Sequence, residues 1–165
     1  MRGFVFAAAA MCCSALQISC NGEDGPAGPP GIDGTSDKQI RLSLGGFSTS
    51  DTSATLCYTS QFITRFNIAN YTSLDSVILS ANMGASNVSE YCIFELYDVT
   101  DSAVIASSTL VSNASGFFGA WPWIYSGNLL NSFPDKEFTL GFRTRSTQQG
   151  IGVQVTSAVL LLYRH

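Results

Sequence analysis

Residues 90–99 read EYCIFELYDV. Cys92, Phe94 and Leu96 fall on one face of an extended chain, and Tyr91, Ile93, Glu95 and Tyr97 fall on the other. Successive side chains of a β-strand point to opposite faces, so this alternation predicts a strand with one face in a core. The same period recurs on both sides of it. Ile40, Leu42 and Leu44 alternate with Arg41 and Ser43 before Gly45-Gly46, which is expected to break the strand. Ala54–Tyr58 and Phe62–Ile68 suggest two more strands, and Ser76–Met83 a longer one. Val104–Val111, Glu137–Arg145 and Val153–Tyr163 complete eight. Turn-forming residues separate them, among them Asp98–Ser102, Asn113–Gly116, Gly127-Asn128, Pro134-Asp135 and Gln148–Gly152. No segment carries a helical stripe. Eight short antiparallel strands predict an all-β fold, a two-sheet β-sandwich with jelly-roll winding. The last strand is apolar on both faces over Ala158–Tyr163, which predicts a central strand or a subunit interface.

Upstream of this domain the chain changes character. Met1-Arg2-Gly3 precedes an apolar run from Phe4 to Ile18, a short basic segment and a core of signal-peptide length. The run falls short of the ~20 apolar residues of a bilayer crossing. It ends at Leu16-Gln17-Ile18-Ser19-Cys20, which resembles a bacterial lipobox: Ser19 fits the small residue before the cut, while Gln17 stands where leucine is usual. That resemblance implies lipidation of Cys20 and anchoring in a membrane, since each buried CH₂ of an acyl chain contributes ~0.8 kcal/mol. Ordinary signal-peptidase cleavage, leaving Cys20 as a thiol, is the alternative. Glu23 and Asp24 resemble the acidic export signal of surface lipoproteins of the Bacteroidetes group, which implies the outer face of the outer membrane.

From Gly22 the chain reads GED-GPA-GPP-GID-G, with glycine at 22, 25, 28, 31 and 34. Only glycine fits the axis where three polyproline-like chains wind together, so this is the collagen pattern. Read as a single extended chain at ~3.1 Å per residue, the repeat is a spacer of roughly 35–40 Å. Read as three wound chains, it implies a homotrimer. Lipobox, short Gly-X-Y repeat and β-domain in this order resemble the collagen-like lipoproteins of Bacteroidetes. The expected layout is a signal peptide over 1–19, lipidated cysteine and spacer over 20–34, and a β-sandwich over 35–165. Asn70, Asn87 and Asn113 each begin an N-glycosylation acceptor pattern. These would matter only in a secreted protein, where the resemblance moves to collagen-tailed trimeric heads of the complement type.

Charged residues make up 12% of the chain and the net charge is −4. Arg143 and Arg145 are the closest basic pair, so no cationic surface for nucleic acid is expected. Cys12 and Cys13 fall in the leader, and Cys57 and Cys92 remain in the domain. In an oxidising compartment these two can form a disulfide, and otherwise they are buried thiols.

The single histidine is the terminal His165, which leaves a Ser-His-Asp or Cys-His mechanism without its base. Of the carboxylates that could form a catalytic pair, Glu90, Glu95, Asp98 and Asp101 sit on one hairpin, where turn residues are a commoner explanation than a glycosidase pair. Asp98 and Asp101 can offer two oxygens to Ca²⁺, short of the six or more it takes. A non-enzymatic protein without cofactor is therefore expected. The densest feature is GFFGAWPWIY, residues 116–125. If extended, Trp121, Trp123 and Tyr125 project in a row, as in the aromatic platforms that stack sugar rings, with Asn113 or Asn128 placed to orient hydroxyls. Core packing of the same rings is the alternative. The partner expected at the cell surface is accordingly a protein or a glycan.

Overall fold

The computed structural model describes residues 38–116 and 121–165, and the expectations for Cys20, the leader and the Gly-X-Y repeat lie outside them. Among the described residues ten strands run in chain order: β1 (Gln39–Thr49), β2 (Thr55–Leu56), β3 (Ile63–Phe66), β4 (Leu74–Ala85), β5 (Cys92–Asp98), β6 (Ala103–Val104), β7 (Leu110–Ser112), β8 (Trp123–Asn128), β9 (Phe138–Ser146) and β10 (Val153–Arg164). One sheet has the order β1-β10-β4-β8, and the other has β2-β9-β5-β6, with β3 on β9 and β7 on β5. All pairings between these strands are antiparallel. The domain is the two-sheet sandwich that the alternation predicts.

The winding follows from which strands interrupt. β2 and β3 occupy one edge of β9, separated by a single 3₁₀ turn over Thr59–Gln61, and act as one broken strand. β6 and β7 likewise share the other edge, on β5. With each broken pair taken as one, eight strands wind in jelly-roll order, β5 and β6/β7 following each other in one sheet and every other connection crossing between the sheets. Three boundaries differ from the sequence expectation. Ala54–Tyr58 and Phe62–Ile68 are halves of one strand, Val104–Val111 is interrupted in its middle, and the missing strand is β8, which starts within the aromatic segment and runs past it to Asn128.

Gly45-Gly46 does not end β1 but bulges it, and pairing with β10 resumes at Phe47. Gly45 has φ of +80°, a left-handed conformation that glycine adopts without steric cost. A Cβ on Gly46 would lie 2.5 Å from the carbonyl oxygen of Thr156, so β1 and β10 approach closely only because that side chain is absent.

The core lies between the sheets. β5 contributes Cys92, Phe94 and Leu96, and β9 contributes Phe138, Leu140 and Phe142, all buried. From the facing sheet come Val77, Leu79, Ala81 and Met83 of β4 and Ala158, Leu160 and Leu162 of β10. Phe94 and Phe142 pack with ring centroids 5.0 Å apart. A second aromatic group forms where Phe66 meets Phe133 at 5.4 Å and Phe138 edge-on at 5.5 Å. β10 is central in its sheet, with β1 on one side and β4 on the other, which accounts for its apolar character on both faces.

Candidate functional site

The three aromatic residues of the expected platform do not share one environment. Ile124 packs into the core, so its neighbours Trp123 and Tyr125 face outward from β8, 43% and 60% exposed. Trp121 lies just before the strand and is buried, only 8% exposed. Its indole rests on Gly84 of β4, where a Cβ would come within 2.7 Å of the ring carbons and 2.5 Å of the Ala114 carbonyl oxygen. The loop is fastened there by Asn82, whose Nδ2 donates to the Trp121 carbonyl. Thr156 Oγ1 in turn donates to the Asn82 side chain and, at 3.2 Å, to its carbonyl. The flat three-ring platform is therefore corrected to two displayed rings and one packed ring.

Asn128 does not orient a ligand either. Its Oδ1 accepts from the backbone N–H groups of Val77 and Leu130, each at 3.0 Å, and its Nδ2 donates to the Asp75 carbonyl. Ser126 Oγ accepts from Leu79 N–H at 2.9 Å. Side chains here complete the β4–β8 ladder across its irregularity between Ile78 and Ser80.

Two surfaces remain as candidates. The first is the outward face of the four-stranded sheet. Val159 and Leu161 of β10 lie outside the core cluster and alternate with core residues Ala158, Leu160 and Leu162. Val159 sits between Ser43 and Ser80, and Leu161 between Arg41 and Ile78. Tyr163 follows on the same face, 36% exposed, and Trp123 and Tyr125 pair with Asn82 and Ser80 on its other side. The face thus displays three partly exposed aromatic rings around Val159 and Leu161, which are themselves nearly covered, and displayed aromatic rings are enriched at interaction surfaces.

The second is an open cleft of about 730 Å³ at the end of the sandwich where β1 and β4 finish and β10 begins. Trp121, Gln154 and the residues 48–50 line it, with Ser86 and Ser115 opposite. The volume lies within the ~300–1,000 Å³ of small-molecule sites. The Trp121 Nε1–H is buried and has no hydrogen-bond partner among the described residues. A buried donor left so costs about 1–3 kcal/mol. Nothing in the alternation of the strands pointed to this cleft, because its residues come from five separate strand ends, those of β1, β4, β7, β8 and β10.

The ionisable groups are engaged elsewhere. Asp98 is buried at the end of β5, and its Oδ1 accepts from Thr100 N–H at 2.8 Å and Asp101 N–H at 3.0 Å, forming the turn to β6. Asp101 pairs with Lys136, whose ammonium is held above its ordinary value by that hydrogen bond. The two carboxylates suggested for Ca²⁺ thus serve a turn and an ion pair, and among the described residues no three His, Cys, Asp or Glu side chains gather as a metal-ligand set. Glu95 pairs with Arg143 at 2.8 Å, and the guanidinium also lies 4.9 Å over the Tyr97 ring. Glu90 accepts from Thr147 Oγ1 at 2.6 Å. His165 Nδ1 lies 2.8 Å from Asp75 Oδ1 at the surface.

Cys57 and Cys92 are both buried and unbonded, so the disulfide alternative is corrected to two thiols. Cys57 bonds to Phe142 on one side of β9, whereas Cys92 pairs with Ser146 from β5 on the other. Two strand spacings of about 4.8 Å separate their backbones, beyond the ~4.4–6.8 Å Cα separation of a disulfide. Burial pushes the Cys92 thiol up to about 12 and raises that of Cys57 as well.

No protein-family model matches the chain, and no curated protein matches it in sequence.

Proposed function

We propose that the chain is a lipid-anchored protein of the outer membrane whose β-sandwich is a non-enzymatic interaction domain at the cell surface, serving adhesion or an outer-membrane assembly. The observation that carries this reading is the outward face of the four-stranded sheet, with Trp123, Tyr125 and Tyr163 around Ile78, Val159 and Leu161. Large aromatic side chains displayed beside aliphatic ones favour a protein partner, because burying them stabilises a contact that water would otherwise solvate poorly. The partner we assign is two further copies of this chain. Gly-X-Y triplets wind only in threes, and the repeat ends at Gly34, close before β1 begins at Gln39.

The test is the intact mass and the native size of the mature protein taken from its host membrane. An acylated N-terminal Cys20 and a trimeric species are expected. Replacing Tyr125 with Asp should then shift the trimer towards monomer while leaving the fold intact, since this side chain is 60% exposed. An unmodified N-terminus carrying glycan on the asparagines would replace this reading with the secreted, collagen-tailed one. A monomer with or without lipid would remove the self-association.

A further inference from the structure

We propose that the cleft at the Thr49 end of the sandwich binds a neutral saccharide. Among the described residues that line the cleft none is charged, and the neighbouring Asp51 carboxylate accepts from Thr49, Thr55 and Gln149. A carboxylate or phosphate entering it would lose water without meeting a cation, and an ammonium would meet no carboxylate. The larger part of the lining surface is apolar and suits the face of a ring, but a ligand apolar throughout would strip water from the hydroxyls without replacing their hydrogen bonds.

What the lining does offer is a set of groups that both donate and accept. Ser48, Ser50, Ser86 and Ser115 present hydroxyls that the domain's internal hydrogen bonds do not use among the described residues. The Gln154 side-chain amide adds two donors and a two-lone-pair acceptor at one site. The hydroxyls of a sugar ring are the complementary pattern, each able to give one hydrogen bond and take two. Trp121 adds an aromatic ring to the lining. Its Nε1–H is a buried donor without a partner among the described residues, while Gly84 beneath the ring and Asn82 on its carbonyl hold it in place.

The sequence pattern placed a sugar on the displayed row of Trp121, Trp123 and Tyr125. The structure separates the two ideas spatially, with Trp121 at the cleft and Trp123 and Tyr125 on the outer sheet face. The inference therefore does not rest on self-association through that face.

The experiment titrates the full mature chain with maltotriose, mannotriose, N-acetylchitotriose and a uronic-acid trisaccharide, followed by saturation-transfer NMR and calorimetry. At least one neutral trisaccharide should bind, and the uronate at least tenfold more weakly. Gln154→Leu should weaken binding tenfold or more, with Ser50→Val as a second variant should the first melt early. Trp123→Ala should leave saccharide affinity unchanged. Absence of binding by all three neutral sugars, or tighter binding of the uronate, overturns the proposal. So does binding that is lost in Trp123→Ala and kept in Gln154→Leu, which would put the sugar on the sheet face. Native size recorded on the same samples reports separately on self-association.

Discussion

Cys92 shows how one buried side chain couples the domain to its surroundings. Its thiol sits at the start of β5 with its side chain fully inside, and desolvation disfavours the thiolate. Below about pH 9 the group is neutral whether the chain is folded or not. Between about 9 and 12 the unfolded chain releases the proton and the folded one keeps it, so this residue's contribution to stability falls as pH rises. Melting temperatures measured across that window should decline more steeply in the wild type than in Cys92→Ala, whatever the offset between them at neutral pH. Gly84 is a second single-residue control. An alanine there would press its Cβ onto the Trp121 ring and the Ala114 carbonyl, so Gly84→Ala should destabilise by about 1–3 kcal/mol and alter the tryptophan emission. Unchanged emission and stability would mean that the indole does not lie on β4.

At the scale of elements the strands that carry the core were legible in the alternation, and the edges were not. β5 and β9 read cleanly because one face is buried and the other half-covered, with the buried Gly141 of β9 as the one exception. Their contact is expected to dominate stability: Phe142→Ala, which removes a ring packed on Phe94 and Phe47, should cost about 3–5 kcal/mol in chemical denaturation. A loss below about 1 kcal/mol would show that the two sheets are not held by this cluster. The misread elements each have a physical cause. Gly45-Gly46 looks like a strand end, yet the same conformational freedom allows a bulge, and only the partner strand decides between them. β8 was hidden because proline and the dense aromatic residues mask its alternation, while Ser126 and Asn128 side chains stand in for missing ladder bonds. The paired halves β2/β3 and β6/β7 pair with one neighbouring strand on one side only, so local sequence specifies them weakly. The cleft was illegible for a different reason, since serines at three strand ends carry no signal until the topology gathers them.

On the scale of the whole domain, the first and last strands lie side by side, with Gln39 opposite Tyr163 and Thr49 opposite Val153. The chain therefore begins its fold at one end of the sandwich, and Ser48 and Ser50 reach the other end roughly 33 Å away at ~3.3 Å per residue. Any tension applied between the backbone at Gln39 and an object gripped at the cleft runs lengthwise along β1. The hydrogen bonds joining β1 to β10 lie across that direction. They are loaded together in shear instead of being peeled apart one after another, and the bulge at Gly45 is the point where the row is interrupted. β1 thus has the geometry of a mechanical clamp.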